Sequence, residues 1–244
     1  MKYTTLTPAF PGKSNYGPLG ISAVVLVETN GKKLLFDTGA HGAVKILLNA
    51  LQERNISPAE IDYVFLSHLH FDHVANIGLF SKAVFLIGQQ EWETAFSENR
   101  EVWTPPESLY YLKEFCSIRP VQDGEWILPD VQAIATPGHT PGHMSLLLYR
   151  KGEIIALTGD AVKNRTELIT ETVDQSLDRE ASTSSIKAIK SRANLVIPGH
   201  DCALRVCQGN VIPQEDLLWE VTLPLGFSDG NNGRFSMPVR KELN

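Results

Sequence analysis

The sequence predicts an α/β protein in which β-sheets pack against each other and helices cover their outer faces. Two observations lead to this fold class. Strand-like segments come mainly in adjacent pairs joined by tight turns, which is the pattern of antiparallel hairpins. Helical patterns separate only some of these pairs, so the order is not the strict strand–helix alternation of a doubly wound sheet. We expect residues 1–244 to form a single domain.

The first half of the chain predicts a hairpin, a helix and two buried strands. ISAVVLVET and KKLLFDTG are apolar strands joined by Asn30-Gly31, a dipeptide that favours the positive φ values of a tight hairpin turn. Residues 41–54 carry apolar side chains at helical spacing. Residues 57–60, SPAE, match a capping box with proline at the first helical position, which predicts a short helical turn. IDYVFLSH and AVFLIG are the next predicted strands.

The second half begins with an aromatic-rich segment, residues 89–116, which is followed by further predicted strands. Residues 89–116 predict two helical pieces broken at Pro105-Pro106, and their aromatic side chains form either one wall of a pocket or ordinary helix packing. GEWILP, VQAIATPG, MSLLLYR and EIIALTGD are predicted strands, with a Lys-Gly turn between the last two. Residues 176–193 predict a helix, and LVIPGH a short strand.

Composition limits the expected partners. The chain carries 22 Lys and Arg against 28 Asp and Glu, a net charge of −6. Such a chain repels phosphate backbones, so we expect no nucleic-acid partner. No apolar run approaches the roughly 20 residues of a membrane-spanning helix, so we expect no membrane partner. The expected partner is a small-molecule substrate. A homodimer is also considered, because the apolar stretch WEVTLPLGF, residues 219–227, could cover a second copy or its own domain.

The cysteines indicate the compartment. Cys116, Cys202 and Cys207 are odd in number and do not form a disulfide framework, and the first residues lack the apolar stretch of a signal peptide. We therefore expect reduced thiols and a cytoplasmic location. Cys202 and Cys207 lie close to His200 in the sequence, so they are either metal ligands or, as we favour, small semi-buried thiols.

Histidine is concentrated at the ends of predicted strands. HLHFDH spans residues 68–73, PGHTPGH spans 137–143 and PGHD spans 198–201. LTGD, residues 157–160, has the same layout and ends in an aspartate. Imidazole nitrogens and carboxylate oxygens are the ligands that suit Zn²⁺, Fe²⁺ and Mn²⁺. Four strand ends therefore predict a metal site.

The donor set is large enough for two ions. Alternate residues of a strand point the same way, so His68 and His70 can face one ion, while the next residues lie past a turn and can face another. The first set is His68, His70 and His139, with His143 competing for the place of His139. The second set is Asp72, His73 and His200, and Asp160 can bridge the two ions.

In this order, the four segments resemble the metallo-β-lactamase superfamily over about residues 20–202. The resemblance implies a four-layer αββα sandwich with the site at one edge between the sheets. It assigns the ligand role to His139 and leaves His143 to contact a ligand or to pack. It also implies that Asp37, in FDTG, orients a ligand histidine. His41 follows FDTG and is a further candidate to line the site.

The resemblance implies a binuclear metal-dependent hydrolase. Two divalent ions, with Zn preferred over Fe, Mn or Co, would share a water whose pKa falls toward neutrality. The bridging hydroxide would attack a small ester, lactone or phosphoester. Asp72 would be the catalytic residue that holds the proton or passes it to the leaving group.

Within the superfamily the layout is most similar to the N-acyl-homoserine lactonases. They share HLHFDH, an aromatic helical stretch before the PGHTPGH motif, and a late GHD segment. One position departs from them: these lactonases usually carry a tyrosine three residues after the bridging aspartate, where this chain has Lys163. Lys163 either stabilises an oxyanion, binds an anionic substrate or is a solvated loop residue. Tyr16, Tyr110 and Tyr111 are candidates to replace the tyrosine.

Other functions compete with this interpretation. A glyoxalase II-like thioesterase shares the ligand set, but this chain has about 40 residues after PGHD and few of them are basic. Phosphodiester or phosphotriester hydrolysis uses the same hydroxide. From another class, a non-catalytic metal-binding or sensing protein would need a blocked or missing ligand, and all seven ligands are present in the sequence.

Overall fold

The computed structural model describes residues 1–222 and 234–239. In chain order the strands are β1 (Lys2–Thr7), β2 (Lys13–Ser14), β3 (Gly17–Pro18), β4 (Val24–Thr29), β5 (Lys32–Phe36), β6 (Tyr63–Leu66), β7 (Val84–Gly88), β8 (Ser117–Val121), β9 (Trp126–Leu128), β10 (Val131–Ala135), β11 (Met144–Arg150), β12 (Glu153–Gly159), β13 (Leu195–Pro198), β14 (Leu204–Cys207), β15 (Asn210–Pro213), β16 (Leu217–Thr222) and β17 (Arg234–Val239).

Helices follow some of these strands. They are α1 (Val44–Gln52), α2 (Phe71–Val74), α3 (Gln89–Ala95), α4 (Pro106–Phe115), α5 (Arg165–Thr170) and α6 (Arg179–Arg192). Short 3₁₀ turns cover His41–Ala43, Pro58–Glu60 and Ile77–Phe80. In the described part of the chain, the helices are all too short or too polar to cross a membrane.

Two large sheets form the centre of the molecule. The first has the spatial order β1-β4-β5-β6-β7-β8, and the second has the order β15-β14-β13-β12-β11-β10-β9. Antiparallel hairpins dominate the second sheet, as the sequence predicts. In the first sheet β5 through β8 pair in parallel, so this half contains more crossover connections than the hairpin pattern indicates.

The inner faces of the two sheets pack on each other. Val25 and Leu34 from the first sheet and Leu146 and Ile155 from the second belong to one buried cluster. Such side chains contribute about 1.5–3 kcal/mol each when fully buried. The two sheets therefore share one apolar interior.

Helices cover both outer faces. Leu47 of α1 and Leu109 of α4 are buried against the first sheet, and Ile186 and Ile189 of α6 are buried against the second. The four layers confirm the predicted αββα sandwich. Of the apolar residues at helical spacing in α1, Leu47 and Leu51 are buried, whereas Leu48 is 36% exposed.

The local signals in the sequence correspond to observed features. Asn30 and Gly31 adopt φ values of 50° and 73° in the turn between β4 and β5. Ser57 and Glu60 form both halves of the capping box. Strands β1 and β8 were not predicted: both are edge strands of the first sheet, and β8 contains Pro120, which an edge tolerates.

The apolar tail is only partly described. Its first residues lie in β16, where the Trp219 Nε1–H donates to the Ala9 carbonyl at 3.2 Å and the ring packs on Phe10. This part of the tail therefore covers its own chain. Residues 223–227 of the stretch lie outside the described residues, and the homodimer stays a prediction.

Candidate metal centre

The ends of four strands meet at one edge of the sandwich. His68 follows β6, His139 follows β10, Asp160 follows β12 and His200 follows β13. Strands β12 and β13 are parallel neighbours, and the Gly199 N–H donates to the Gly159 carbonyl at 2.9 Å. This pairing places the side chains of Asp160 and His200 next to each other.

The structure brings together the seven residues that the sequence predicts as ligands. Their donor atoms form three groups, each spanning less than 4.8 Å: His68, His70 and His139; His68, His73 and Asp160; Asp72, His73 and His200. The first and third groups are the two half-sites expected from the sequence. We name them the first cluster and the second cluster.

Asp160 lies between the two clusters. Its Oδ2 is 3.3 Å from His139 Nε2 in the first cluster. Its Oδ1 is 3.3 Å from His73 Nε2 and 3.1 Å from His200 Nε2 in the second. One carboxylate therefore faces both clusters with different oxygens, which is the geometry that a bridging ligand requires.

Several donor atoms in this region are buried without a hydrogen-bond partner. Among the described residues they include His68 Nε2, His73 Nε2 and Asp160 Oδ1. An unsatisfied buried polar atom costs about 1–3 kcal/mol and is rare in native proteins. Nitrogen and oxygen donors that converge in this way fit divalent cations of the zinc type.

Protonation differs between the clusters. Burial, together with neighbouring histidines, lowers the pKa of His68 well below its usual range, so its imidazole is the neutral form that a metal needs. Burial would raise the pKa of Asp160, but His200, His139 and His73 outweigh it and lower the pKa well below the ordinary value. Burial likewise opposes charge on His73, yet Asp37, Asp72 and Asp160 raise its pKa well above the usual value. A cation entering the second cluster would therefore displace a proton.

Asp37 fixes the orientation of His73. Its Oδ2 accepts from His73 Nδ1 at 2.8 Å and from the Ser67 hydroxyl at 2.8 Å. Its Oδ1 accepts from the Ser67 N–H at 2.7 Å. These bonds leave His73 Nε2 pointing at the second cluster, in keeping with the role that the resemblance implies for Asp37.

His143 lies outside the two clusters. Its Nδ1 contacts the Thr136 hydroxyl at 2.9 Å, and its Nε2 accepts from the Asp160 N–H at 3.1 Å. Burial lowers its pKa to about 3. The neutral ring therefore supports the backbone of Asp160 instead of competing with His139.

The buried His143 predicts a pH dependence of stability. Its folded pKa of about 3 lies below the ordinary 6.5, so between these values the unfolded chain binds a proton that the folded chain does not. Stability that is present above pH 6.5 is lost as the pH falls, by up to about 1.4 kcal/mol per pH unit for this group. Urea unfolding of the metal-free chain at pH 7, 6 and 5 measures how the free energy of unfolding changes with pH. This change should be smaller for His143→Gln than for the wild type. Equal changes would contradict the assignment.

Lys163 is neither a solvated loop residue nor a free cation. Its Nζ lies 3.1 Å from Glu167 Oε1 and donates to the Gln175 carbonyl at 3.1 Å. Its side chain is 16% exposed. The charge is thus already paired inside the chain, which weakens the prediction that Lys163 binds an anionic substrate.

The three tyrosines that could replace the lactonase tyrosine, and His41, which could line the site, have the following surroundings. Tyr110 and Tyr111 both pack on Phe115, at ring distances of 6.0 and 5.6 Å, and Tyr16 is almost fully exposed. His41 is exposed, and its Nδ1 is 3.5 Å from Asn76 Oδ1.

The cysteines also lie apart from the donor groups. All three are free, Cys202 is buried and Cys207 is exposed. In residues 1–222 and 234–239 the donor groups contain no cysteine. The interpretation of Cys202 and Cys207 as ordinary thiols is therefore favoured.

Two glutamates near the first cluster were not predicted from the sequence. Glu91 is buried; its Oε1 accepts from the Leu69 N–H at 3.0 Å, and its Oε2 accepts from the Thr140 hydroxyl at 2.7 Å. It ties the backbone between His68 and His70 to the residue after His139. Glu101 Oε2 lies 3.3 Å from His70 Nε2. Neither glutamate belongs to a motif. The one sequence feature that connected them with the site is their position in the aromatic-rich segment of residues 89–116.

Gly20 was also not predicted from the sequence. A Cβ at this position would lie 2.9 Å from Asp72 Oδ2 and 3.2 Å from His200 Cε1. The same segment is bonded to the second cluster, because the Ser22 hydroxyl donates to the Asp72 carbonyl at 2.6 Å and His200 Nδ1 lies 3.2 Å from the Ile21 carbonyl. A side chain at residue 20 would therefore displace the Asp72 carboxylate.

Gly20→Ala should weaken the second cluster selectively. The new methyl group displaces the Asp72 carboxylate, and we expect the affinity for one of two Zn²⁺ ions to fall about 10- to 100-fold. Competition with a chromophoric chelator measures both affinities. Gly42→Ala is the matched control, because a Cβ there meets open space. Wild-type affinity for both ions in Gly20→Ala would contradict the expectation.

Comparisons with known proteins agree with the fold and identify the family. The profile described as "Metallo-beta-lactamase superfamily" matches residues 17–200. An N-acyl homoserine lactonase of Bacillus cereus is 33% identical over 165 residues, which are 64% of this chain and 62% of the lactonase. The chain thus matches less than two thirds of the length of that relative.

Two further proteins extend the comparison. The mouse Metallo-beta-lactamase domain-containing protein 1 is 30% identical over 206 residues, 82% of this chain and 72% of the mouse protein. A solved structure of AidC, described as a dizinc quorum-quenching lactonase in complex with a product, superposes with a TM-score of 0.66 at 20% identity. The superposition covers 82% of this chain and 81% of AidC and supports the fold.

Proposed function

This chain belongs to the metallo-β-lactamase superfamily, and from that premise we propose that it is a binuclear metal-dependent hydrolase that opens small lactones. One observation carries the binuclear assignment: Asp160 presents its two oxygens to two separate donor clusters. The names of the Bacillus cereus relative and of AidC support the substrate class.

The seven clustered side chains would hold two ions. His68, His70 and His139 would bind the first, Asp72, His73 and His200 would bind the second, and Asp160 would contact both. Zn²⁺ suits these nitrogen and oxygen donors, with Fe, Mn and Co as alternatives. When bound, the ions supply Lewis acidity and lower the pKa of a shared water.

Asp72 is the proton-handling residue in this proposal. Its Oδ2 lies 3.5 Å from His200 Nε2, and its Oδ1 lies 3.9 Å from His73 Nε2. The oxygen that does not hold an ion can accept the proton of the attacking water and later pass it to the leaving oxygen. The Ser22 hydroxyl donates to the Asp72 backbone carbonyl at 2.6 Å and so fixes the backbone that carries this carboxylate.

The surroundings of the site favour an uncharged substrate. The Trp103 carbonyl accepts from the Phe71 N–H at 3.0 Å, and the two rings lie 6.0 Å apart. Trp103 is 46% exposed and so offers apolar surface beside the first cluster. Since Lys163 is already paired with Glu167, a lactone fits better than an anionic phosphodiester.

A substrate panel tests this function. The purified chain is assayed on lactones, thioesters, phosphodiesters and phosphotriesters, with and without chelator, and its metal content is measured. We expect the highest kcat/KM on lactones, loss with chelator, recovery with Zn²⁺ and two ions per chain. Higher kcat/KM on thioesters or phosphoesters would reassign the substrate, and metal binding without turnover would indicate a sensor. Activity with only one ion per chain would contradict the binuclear form.

We also propose a cytoplasmic location, supported by the three free cysteines. Fractionation of the native cells tests this location. We expect the chain in the soluble fraction of the lysed cells, and its recovery from the extracellular fraction would contradict the proposal.

A further inference from the structure

Each of three ligand histidines has a partner on the nitrogen that faces away from the clusters. His73 Nδ1 contacts Asp37 at 2.8 Å, His68 Nδ1 contacts the Ser67 hydroxyl at 3.0 Å, and His200 Nδ1 lies 3.2 Å from the Ile21 carbonyl. Such partners fix the tautomer and the orientation of a metal-binding imidazole.

His70 has a different environment. Its Nδ1 faces the first cluster, because it lies 3.1 Å from His139 Nε2. Its Nε2 therefore points outward, is buried, and makes no hydrogen bond among the described residues. The Glu101 carboxylate lies 3.3 Å from this nitrogen and is itself mostly buried.

We propose that Glu101 is a positioning residue that accepts the Nε2–H of His70 and thereby couples the loop of residues 96–105 to the first ion. An ion on Nδ1 leaves the ring proton on Nε2, where the carboxylate can hold it. Glu101 has this role only if the proposed metal function holds.

The same loop is attached to the residue after His70. The Trp103 carbonyl accepts from the Phe71 N–H, and the two rings pack on each other. The Thr104 N–H donates to the Glu101 carbonyl at 3.2 Å and closes a turn between these two contacts. A loop that contacts both His70 and Phe71 should be more ordered when His70 is held by an ion. By reciprocity, the order of the loop should raise the affinity for that ion.

Glu101→Gln and Glu101→Ala test this role through metal affinity. Competition with a chromophoric chelator should show that the affinity for one Zn²⁺ ion equals that of the wild type. The affinity for the other ion should be lower by about 10- to 100-fold, and the loss should be larger in the alanine variant than in the glutamine variant. The absorption bands of Co²⁺-loaded protein should shift for one ion only. Glu98→Gln, an exposed glutamate of the same loop, is the matched control and should match the wild type.

The outcomes separate this role from the function itself. If the wild type binds no Zn²⁺, the proposed function fails. If the wild type binds two ions and both Glu101 variants bind them equally well, only the role of Glu101 is overturned.

Amide hydrogen exchange of the wild-type chain tests the coupling between the loop and the ion without any substitution. Zn²⁺ should slow exchange of the Phe71 and Thr104 N–H groups, and unchanged exchange in the Zn²⁺-loaded chain would overturn the coupling.

Discussion

Asp160→Asn is expected to lower kcat/KM by about 10²- to 10⁴-fold, because the substitution removes a carboxylate that faces both clusters. The asparagine has nearly the same shape, so the fold should persist. It lacks the charge that two neighbouring cations require, and its amide nitrogen cannot act as a ligand. We therefore expect fewer than two Zn²⁺ ions per chain after dialysis, measured by elemental analysis beside the kinetics.

The control for this variant is Asp174→Asn. Asp174 is an exposed aspartate on the loop after α5, and its substitution should leave both metal content and kcat/KM at the wild-type level. Asp160→Asn with full activity and two ions would exclude a bridging role. Loss of activity with both ions retained would instead assign Asp160 to substrate binding.

The layered fold could be predicted because its signals are local. The Asn30-Gly31 turn, the capping box at Ser57 and the apolar segments each describe a few neighbouring residues, and each corresponds to an observed element. The edge strands β1 and β8 carry weaker signals, since they are paired on one side and only partly buried. Their existence depends on neighbouring strands that no local pattern describes.

The candidate ligands could also be predicted, because a metal requires particular side chains at strand ends. Their close approach agrees with the two predicted half-sites, while ligation itself stays a prediction. The supporting residues Gly20, Glu91 and Glu101 could not be predicted. Each lies many residues away in sequence from the part of the site that it adjoins, and a glutamate in a segment with a helical pattern ordinarily faces water.

Asp37 is the supporting residue that was predicted, and its loss should have the second large effect. Its carboxylate is fully buried and accepts hydrogen bonds from Ser67 and His73. Asp37 adopts a φ of 59°, a conformation that asparagine tolerates better than alanine. Asp37→Asn therefore removes the charge without straining the backbone.

Asp37→Asn should invert the tautomer of His73. The new amide group presents N–H toward His73 Nδ1, so the ring can accept that bond only when Nδ1 is deprotonated and the remaining ring proton is on Nε2. That nitrogen faces the second cluster, and in its protonated form it cannot bind a metal. We expect the affinity for one Zn²⁺ ion to fall about 10- to 100-fold and the free energy of unfolding of the metal-free chain to fall by about 1–3 kcal/mol.

Ser67→Ala separates these two effects. The substitution removes a hydroxyl that contacts both the Asp37 carboxylate and His68 Nδ1, but it leaves the bond between Asp37 and His73 in place. We expect a loss of stability and a weaker affinity for the ion of the first cluster, which includes His68, with only a small change for the second cluster, measured by urea unfolding and by chelator competition. If Asp37→Asn and Ser67→Ala reduced the affinity for the same ion equally, the tautomer of His73 would not be the cause, and Asp37 would act through packing alone.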